Sequence, residues 1–160
     1  MSTPNPTPDF AAVLASIEAF AATASDAASL ERHIVEVMAA RLPHYNWVGF
    51  YMLAAENDQM LDLGPFVGAP TIHTRIPVSE GICGAAVAEG QTIVIDDVHA
   101  DPRYLACSIE TRSEIVVPIR VHGKIVGEID IDSHEHAAFT PADRAFVEQC
   151  AEVVGQFLAQ

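Results

Sequence analysis

Basic residues are scarce in this sequence: eight lysines and arginines stand against 22 aspartates and glutamates, for a formal net charge of -14. So acidic a surface repels nucleic-acid phosphates and anionic lipid headgroups, and neither is an expected partner. Cysteine is sparse too. Three residues in 160 are an odd count that offers no disulfide framework. No apolar run is long enough to cross a bilayer, since the longest candidate, Phe10–Ala24, is interrupted by Ser16, Glu18 and Thr23. The opening MSTPNPTPD lacks the basic stretch and apolar core of a secretory signal. A cytoplasmic protein with reduced thiols is therefore expected. Phosphate-cradling glycine loops of the G-x-x-x-x-G-K-(S/T) and G-x-G-x-x-G types are missing. So are the C-x-x-C and H-E-x-x-H metal spacings, and the histidines read as solvated side chains, so no metal is expected.

What is present suits a globular chain: half the residues are apolar and 19% are charged. Residues 1–9, rich in proline, read as an extended lead-in, and residues 10–160 as one domain without repeats or linkers. Apolar spacing predicts helices over Phe10–Thr23, with Asp9 as cap, and over Ser29–Ala40, ended by Pro43. Strands are expected at Asn46–Leu53, near Met60–Leu63 before a break at Gly64-Pro65, and at Thr71–Pro77. A short helix over Ser79–Gly90 and a strand at Thr92–Asp97 precede a long loop, Val98–Thr111. Thr140-Pro141-Ala142-Asp143 is a strong helix start, for a helix reaching about Leu158. The order predicts an α+β fold, a largely antiparallel sheet with helices gathered on one side.

The stretch Leu105–Ser133 carries the candidate chemistry. Cys107 lies in the loop, and Glu114 opens the first of two strand-like runs joined at His122-Gly123, a hairpin signal. The second run ends Asp130-Ile131-Asp132, so strand alternation puts both aspartates on one face and Ile129 and Ile131 on the other. A thiol and three carboxyls on adjacent strands make a polar site on a sheet face. Cys83 falls in the first turn of its predicted helix, where the dipole would favour a thiolate. Cys150 sits among Phe146, Val147, Val153, Val154 and Phe157 at helical spacing and belongs to the core. Trp47 and Tyr51, four apart on a strand, share a face suited to core or to a ligand pocket. A Cys107–His99 hydrolase remains open as an alternative.

In order and spacing, the segments NWVGFY, GPFVG, RIP, GICG, DVH, LAC, SEIVVPI and GEIDIDS resemble the GAF-domain free methionine-(R)-sulfoxide reductases, from about Tyr45 to the C-terminus. The resemblance implies a six-stranded antiparallel sheet with helices packed on one face and a homodimer. It further implies reduction of free methionine-(R)-sulfoxide, with no bound cofactor and thioredoxin as reductant. Cys107 matches the family nucleophile, Glu114, Asp130 and Asp132 its acidic residues, Cys83 the cysteine of its GVCG motif and Trp47 its pocket tryptophan. Tyr51 and His73 are expected to complete the substrate pocket. His73 stands where the family places another cysteine, which leaves Cys83, an external thiol or Cys150 to resolve the oxidised nucleophile; Cys83 is the best placed. Asp101-Pro102-Arg103-Tyr104 resembles sensory GAF domains instead, so a non-catalytic small-molecule sensor is the alternative reading.

Overall fold

The structure is a computed structural model that describes residues 8–106 and 108–160; residues 1–7, most of the expected lead-in, and Cys107 lie outside it. Two aspartate caps start the first helices. Asp9 accepts from Ala12 N at 3.0 Å and opens α1, Phe10–Ala21. Asp26 accepts from Ser29 N at 2.8 Å, so α2, Ala27–Arg41, begins two residues before the expected Ser29. The strands and remaining helices are β1 (Trp47–Ala54), β2 (Asn57–Val67), β3 (Arg75–Pro77), α3 (Gly81–Glu89), β4 (Ile93–Ile95), β5 (Ser113–Val121), β6 (Lys124–Ser133) and α4 (Pro141–Leu158). The expected loop from Val98 begins with a 3-10 turn, Val98–Ala100.

Two strand expectations are corrected. Gly64-Pro65 does not end β2: between the pairs Gly49–Phe66 and Tyr51–Leu63, β2 advances one residue more than β1. The extra residue is a bulge, the irregularity at which a strand tolerates proline. The strand expected over Thr71–Pro77 shrinks to Arg75–Pro77. Upstream, His73 N donates to Thr71 Oγ1 at 3.0 Å and Thr74 N to Ile72 O at 3.1 Å. These local turns take the donors a strand would have offered to its neighbour, and His73 leaves the sheet.

The six strands pair in the order β3-β2-β1-β6-β5-β4, every pair antiparallel. His122 and Gly123, at φ 50 and 79, form the β5–β6 turn, the left-handed pair a tight hairpin needs. Alternation along the strands then sorts the side chains. Val48, Phe50, Ile115, Val117, Ile119, Ile129 and Ile131 meet the apolar faces of α1, α2 and α4 in one core. The opposite face carries Trp47, Tyr51 and Val116, which pack with Ile82, Cys83 and Ala86 of α3. Three helices thus share one face, as expected, and α3 alone covers the other. No helix among the described residues is long and apolar enough to cross a membrane.

The start of α4 ties the helices to the sheet. Thr140 and Asp143 form a reciprocal capping box. Buried Asp143 also accepts from Tyr45 Oη at 2.9 Å and contacts His44 Nε2 at 2.7 Å. Burial alone would raise its pKa, but the hydrogen bonds from His44, Thr140 and Tyr45 outweigh it and hold the carboxyl below its ordinary value. Asp143→Ala strands the Tyr45 hydroxyl and uncaps α4, at an expected cost of about 2–4 kcal/mol in urea unfolding at neutral pH. A depressed carboxyl contributes fully above its unfolded pKa of about 4, and the contribution is lost as pH falls through the lower folded value. The deficit should therefore shrink in acid; one that stays constant to about pH 2 would contradict this ionised network.

Candidate active site

Strand register builds the site. On β6, Glu128, Asp130 and Asp132 alternate with Ile129 and Ile131, and all three acids face α3. Glu114 of β5 lies directly across from Asp132, Val116 from Asp130 and Pro118 from Glu128. On the other flank, Trp47, Gly49 and Tyr51 of β1 pair with Asp132, Asp130 and Glu128. Four carboxyls thus share one patch of sheet, roofed by α3, and all are buried. The Cys83 thiol donates to Asp130 Oδ2 at 3.3 Å.

Trp47 forms the wall at the Asp132 end. Its indole N–H donates to Ala69 O at 3.0 Å and its ring stacks on Phe66, centroids 5.5 Å apart. A side chain on Gly49 would strike that ring, so glycine there is what lets the indole lie over β1. A cavity of about 100 Å3 opens here between Trp47, Ala69, Ser108, Thr111, Asp132 and His134. Larger hollows, of about 350 Å3 against α4 and about 670 Å3 beside α1, contain no cysteine.

None of the four acids has a basic partner among the described residues, and desolvation dominates their protonation. Glu114 is raised well above the carboxylate range by burial, then by the charges of Asp130 and Asp132. It lies directly across from Asp132 in the sheet and beside Asp130, where a protonated acid lowers the cost of an ionised neighbour. Asp132 is raised by burial and by Asp130; Asp130 is raised by burial, with hydrogen bonds from Glu114 and Cys83 opposing. Such a cluster offers protons at one edge and negative charge at another. It is equipped to bind a small cation and to protonate an oxygen.

The chain's relatives carry the same frame. Residues 18–158 match the GAF domain family model. Protein YtsP of Bacillus subtilis is 41% identical over 152 residues, covering 95% of this chain and 92% of its own. The free methionine-R-sulfoxide reductase of Escherichia coli is 38% identical over 151 residues, covering 94% and 85%. Among solved structures, the free methionine-R-sulfoxide reductase of Neisseria meningitidis, in complex with its substrate, superposes with a TM-score of 0.89 at 34% identity, over 98% of this chain and 92% of that one. The chain belongs to the GAF-domain free methionine-R-sulfoxide reductases.

Within this reductase frame the structure brings together Cys83, Glu114, Asp130, Asp132, Trp47 and Tyr51. Cys107, the expected nucleophile, lies outside the described residues. Its neighbours do not: Leu105 packs on Gly81, two residues before Cys83, and His73 Nε2 meets Ala106 O at 3.1 Å. His73 thus meets the loop before Cys107, and its carbonyl accepts from Tyr51 Oη at 2.7 Å. His99 is exposed and faces Arg112 at 3.4 Å, which gives the hydrolase alternative no support. Against the thiolate expected at Cys83, burial and then the charges of Asp130, Glu128 and Glu114 push its pKa well above the ordinary thiol value.

Sequence reading missed Glu128. The alternation that selected Asp130 and Asp132 extends to it, two residues upstream, and would have found it. Glu128 is 0% exposed, and neither carboxyl oxygen makes an aligned hydrogen bond. All four acids have folded pKa values above the ordinary value of about 4, so the folded chain binds more protons than the unfolded one above that pH. The cluster's contribution to stability is then greatest below about pH 4 and is lost as pH rises through the folded values, by up to about 1.4 kcal/mol per pH unit for each titrating group. Glu128→Gln should flatten the fall in unfolding free energy as pH rises above about 5; an unchanged slope would contradict a buried, protonated Glu128.

Proposed function

We propose that this protein reduces free methionine-(R)-sulfoxide, with Cys107 as nucleophile, Cys83 as resolving thiol and thioredoxin as reductant. The observation that carries the reading is the buried cluster of Glu114, Asp130 and Asp132 beside the Cys83 thiol. The Cys107 thiolate attacks the sulfoxide sulfur while the sulfoxide oxygen takes up protons, Glu114 being the acid best placed to donate. The sulfur is reduced by two electrons, methionine leaves, and the oxygen departs with Cys107 as sulfenic acid. Cys83 then gives its proton to Asp130 and attacks that sulfenic acid, forming a disulfide and releasing water. A thioredoxin-type dithiol reduces the disulfide. Packing of Leu105 on Gly81 supports this pairing, because it brings the loop leading to Cys107 against the start of the helix that bears Cys83.

Asp130 and Asp132, ionised, hold the substrate ammonium, and Trp47 walls its apolar part. Selectivity for the free amino acid follows, since a residue inside a peptide has no ammonium to offer. Free thiols at Cys83 and Cys150 suit a reducing compartment, and the cytoplasm is the compartment of this reading. A homodimer completes the reading.

The test is NADPH oxidation coupled through thioredoxin reductase and thioredoxin, with separated R and S epimers. The R epimer should turn over, Cys107→Ser should abolish it, and Cys83→Ser should complete one turnover and stall. Steady turnover by Cys83→Ser would show that the reductant attacks the sulfenic acid directly. No consumption of NADPH with either epimer would favour the sensor reading. Peptide-bound sulfoxide should be poorer by on the order of a thousandfold in kcat/KM, the cost of leaving buried carboxylates unpaired; equal rates would refute the ammonium site.

A further inference from the structure

The proposed chemistry uses Glu114, Asp130 and Asp132, and leaves Glu128 without a task. Its position is costly: a fully buried carboxyl beside Cys83, with both oxygens lacking an aligned partner. Beside it, Cys83 Sγ, a Glu114 oxygen and an Asp130 oxygen all lie within 4.8 Å of one another. Asp130 Oδ1 is buried and unpartnered as well. These three groups, on three elements, come together with Glu128 beside them on β6, and no basic side chain among the described residues pairs with them.

We propose that this end of the pocket binds a soft divalent cation of the zinc class, held by Cys83 Sγ and carboxylate oxygens of Glu114 and Asp130, with Glu128 beside the ligands. Zinc accepts thiolate and carboxylate ligands and, with three from the protein, keeps its fourth tetrahedral position for water, while thiolate selects it over magnesium or calcium. Tetrahedral ligands stand about 3.5 Å apart around the ion, so the side chains need to close by roughly an ångström, within the reach of rotamer adjustment. On binding, the Cys83 S–H and the protonated carboxyls release their protons to solvent, and the ion's charge offsets the anions formed. No electron moves. The ion and a substrate ammonium both draw on Asp130, so they exclude each other. Coordination also withdraws Cys83 from disulfide formation, so the cation acts as an inhibitor of recycling; this consequence for turnover rests on the proposed function, whereas the binding itself does not.

Adding Co2+ to the reduced, metal-free protein tests the site spectroscopically. Near-ultraviolet sulfur-to-cobalt charge transfer and visible bands of tetrahedral Co2+ should appear at one equivalent and vanish on adding Zn2+. Cys107→Ser should keep them and Cys83→Ser should lose them. Glu128→Gln should weaken binding by at least about tenfold, since even groups outside the ligand shell are worth that much. Should Cys83→Ser fail to fold, the unmutated protein still answers: Zn2+ should protect Cys83 from maleimide labelling, read by peptide mapping. Bands that survive in Cys83→Ser, Glu128→Gln binding as tightly as the parent, or Cys83 labelling indifferent to Zn2+ would overturn the assignment. None of these readouts involves a sulfoxide, so failure here leaves the reductase assay standing, and an inactive reductase leaves the titration interpretable.

Discussion

Four buried carboxyl groups on one face of a sheet, with no basic side chain among the described residues to neutralise them, set the terms for this molecule. Each would cost several kcal/mol to bury as an isolated ion. They are held because β5 and β6 are fixed by what lies behind them. Ile115, Val117, Ile129 and Ile131 alternate with the acids and lock both strands into the core beneath α1, α2 and α4. A register slip of one residue would exchange isoleucines for carboxylates in that core, so the apolar face enforces the acidic one.

The cost shows up as reactivity. Crowded, desolvated acids keep protons they would lose in water, and a thiol among them stays neutral. Cys83 is thus a poor nucleophile at rest that sits against the base able to activate it, Asp130. A cationic ligand changes that balance, because each positive charge brought into the pocket makes further ionisation cheaper. The same physics underlies the ammonium and metal sites proposed above, and the competition expected between them.

Loops complete what the sheet begins. Trp47 is laid across Gly49 and pinned to Ala69, which brings the segment after β2 to the pocket. His73 and Tyr51 join that segment to the loop before Cys107, and Leu105 anchors the loop on Gly81. Where the family places another thiol, this chain has an imidazole that holds the loop through a hydrogen bond to Ala106.

Local rules determined much of this in the sequence itself. Helix caps at Asp9 and Thr140, the His122-Gly123 turn and the shared face of Asp130 and Asp132 depend on neighbours a few residues apart, so their signals are written in short windows. Glu128 was equally legible by alternation. What only the tertiary structure decided involves distant partners. The bulge at Gly64-Pro65 exists because β1 supplies a partner across it, and His73 leaves its strand because local turns outcompete a distant edge. The state of Cys83 was decided by Asp130, Glu128 and Glu114, 47, 45 and 31 positions away in sequence. A helix N-terminus is local and readable, but desolvation and the field of three buried acids arise only when the sheet closes against α3, and they raise the Cys83 thiol.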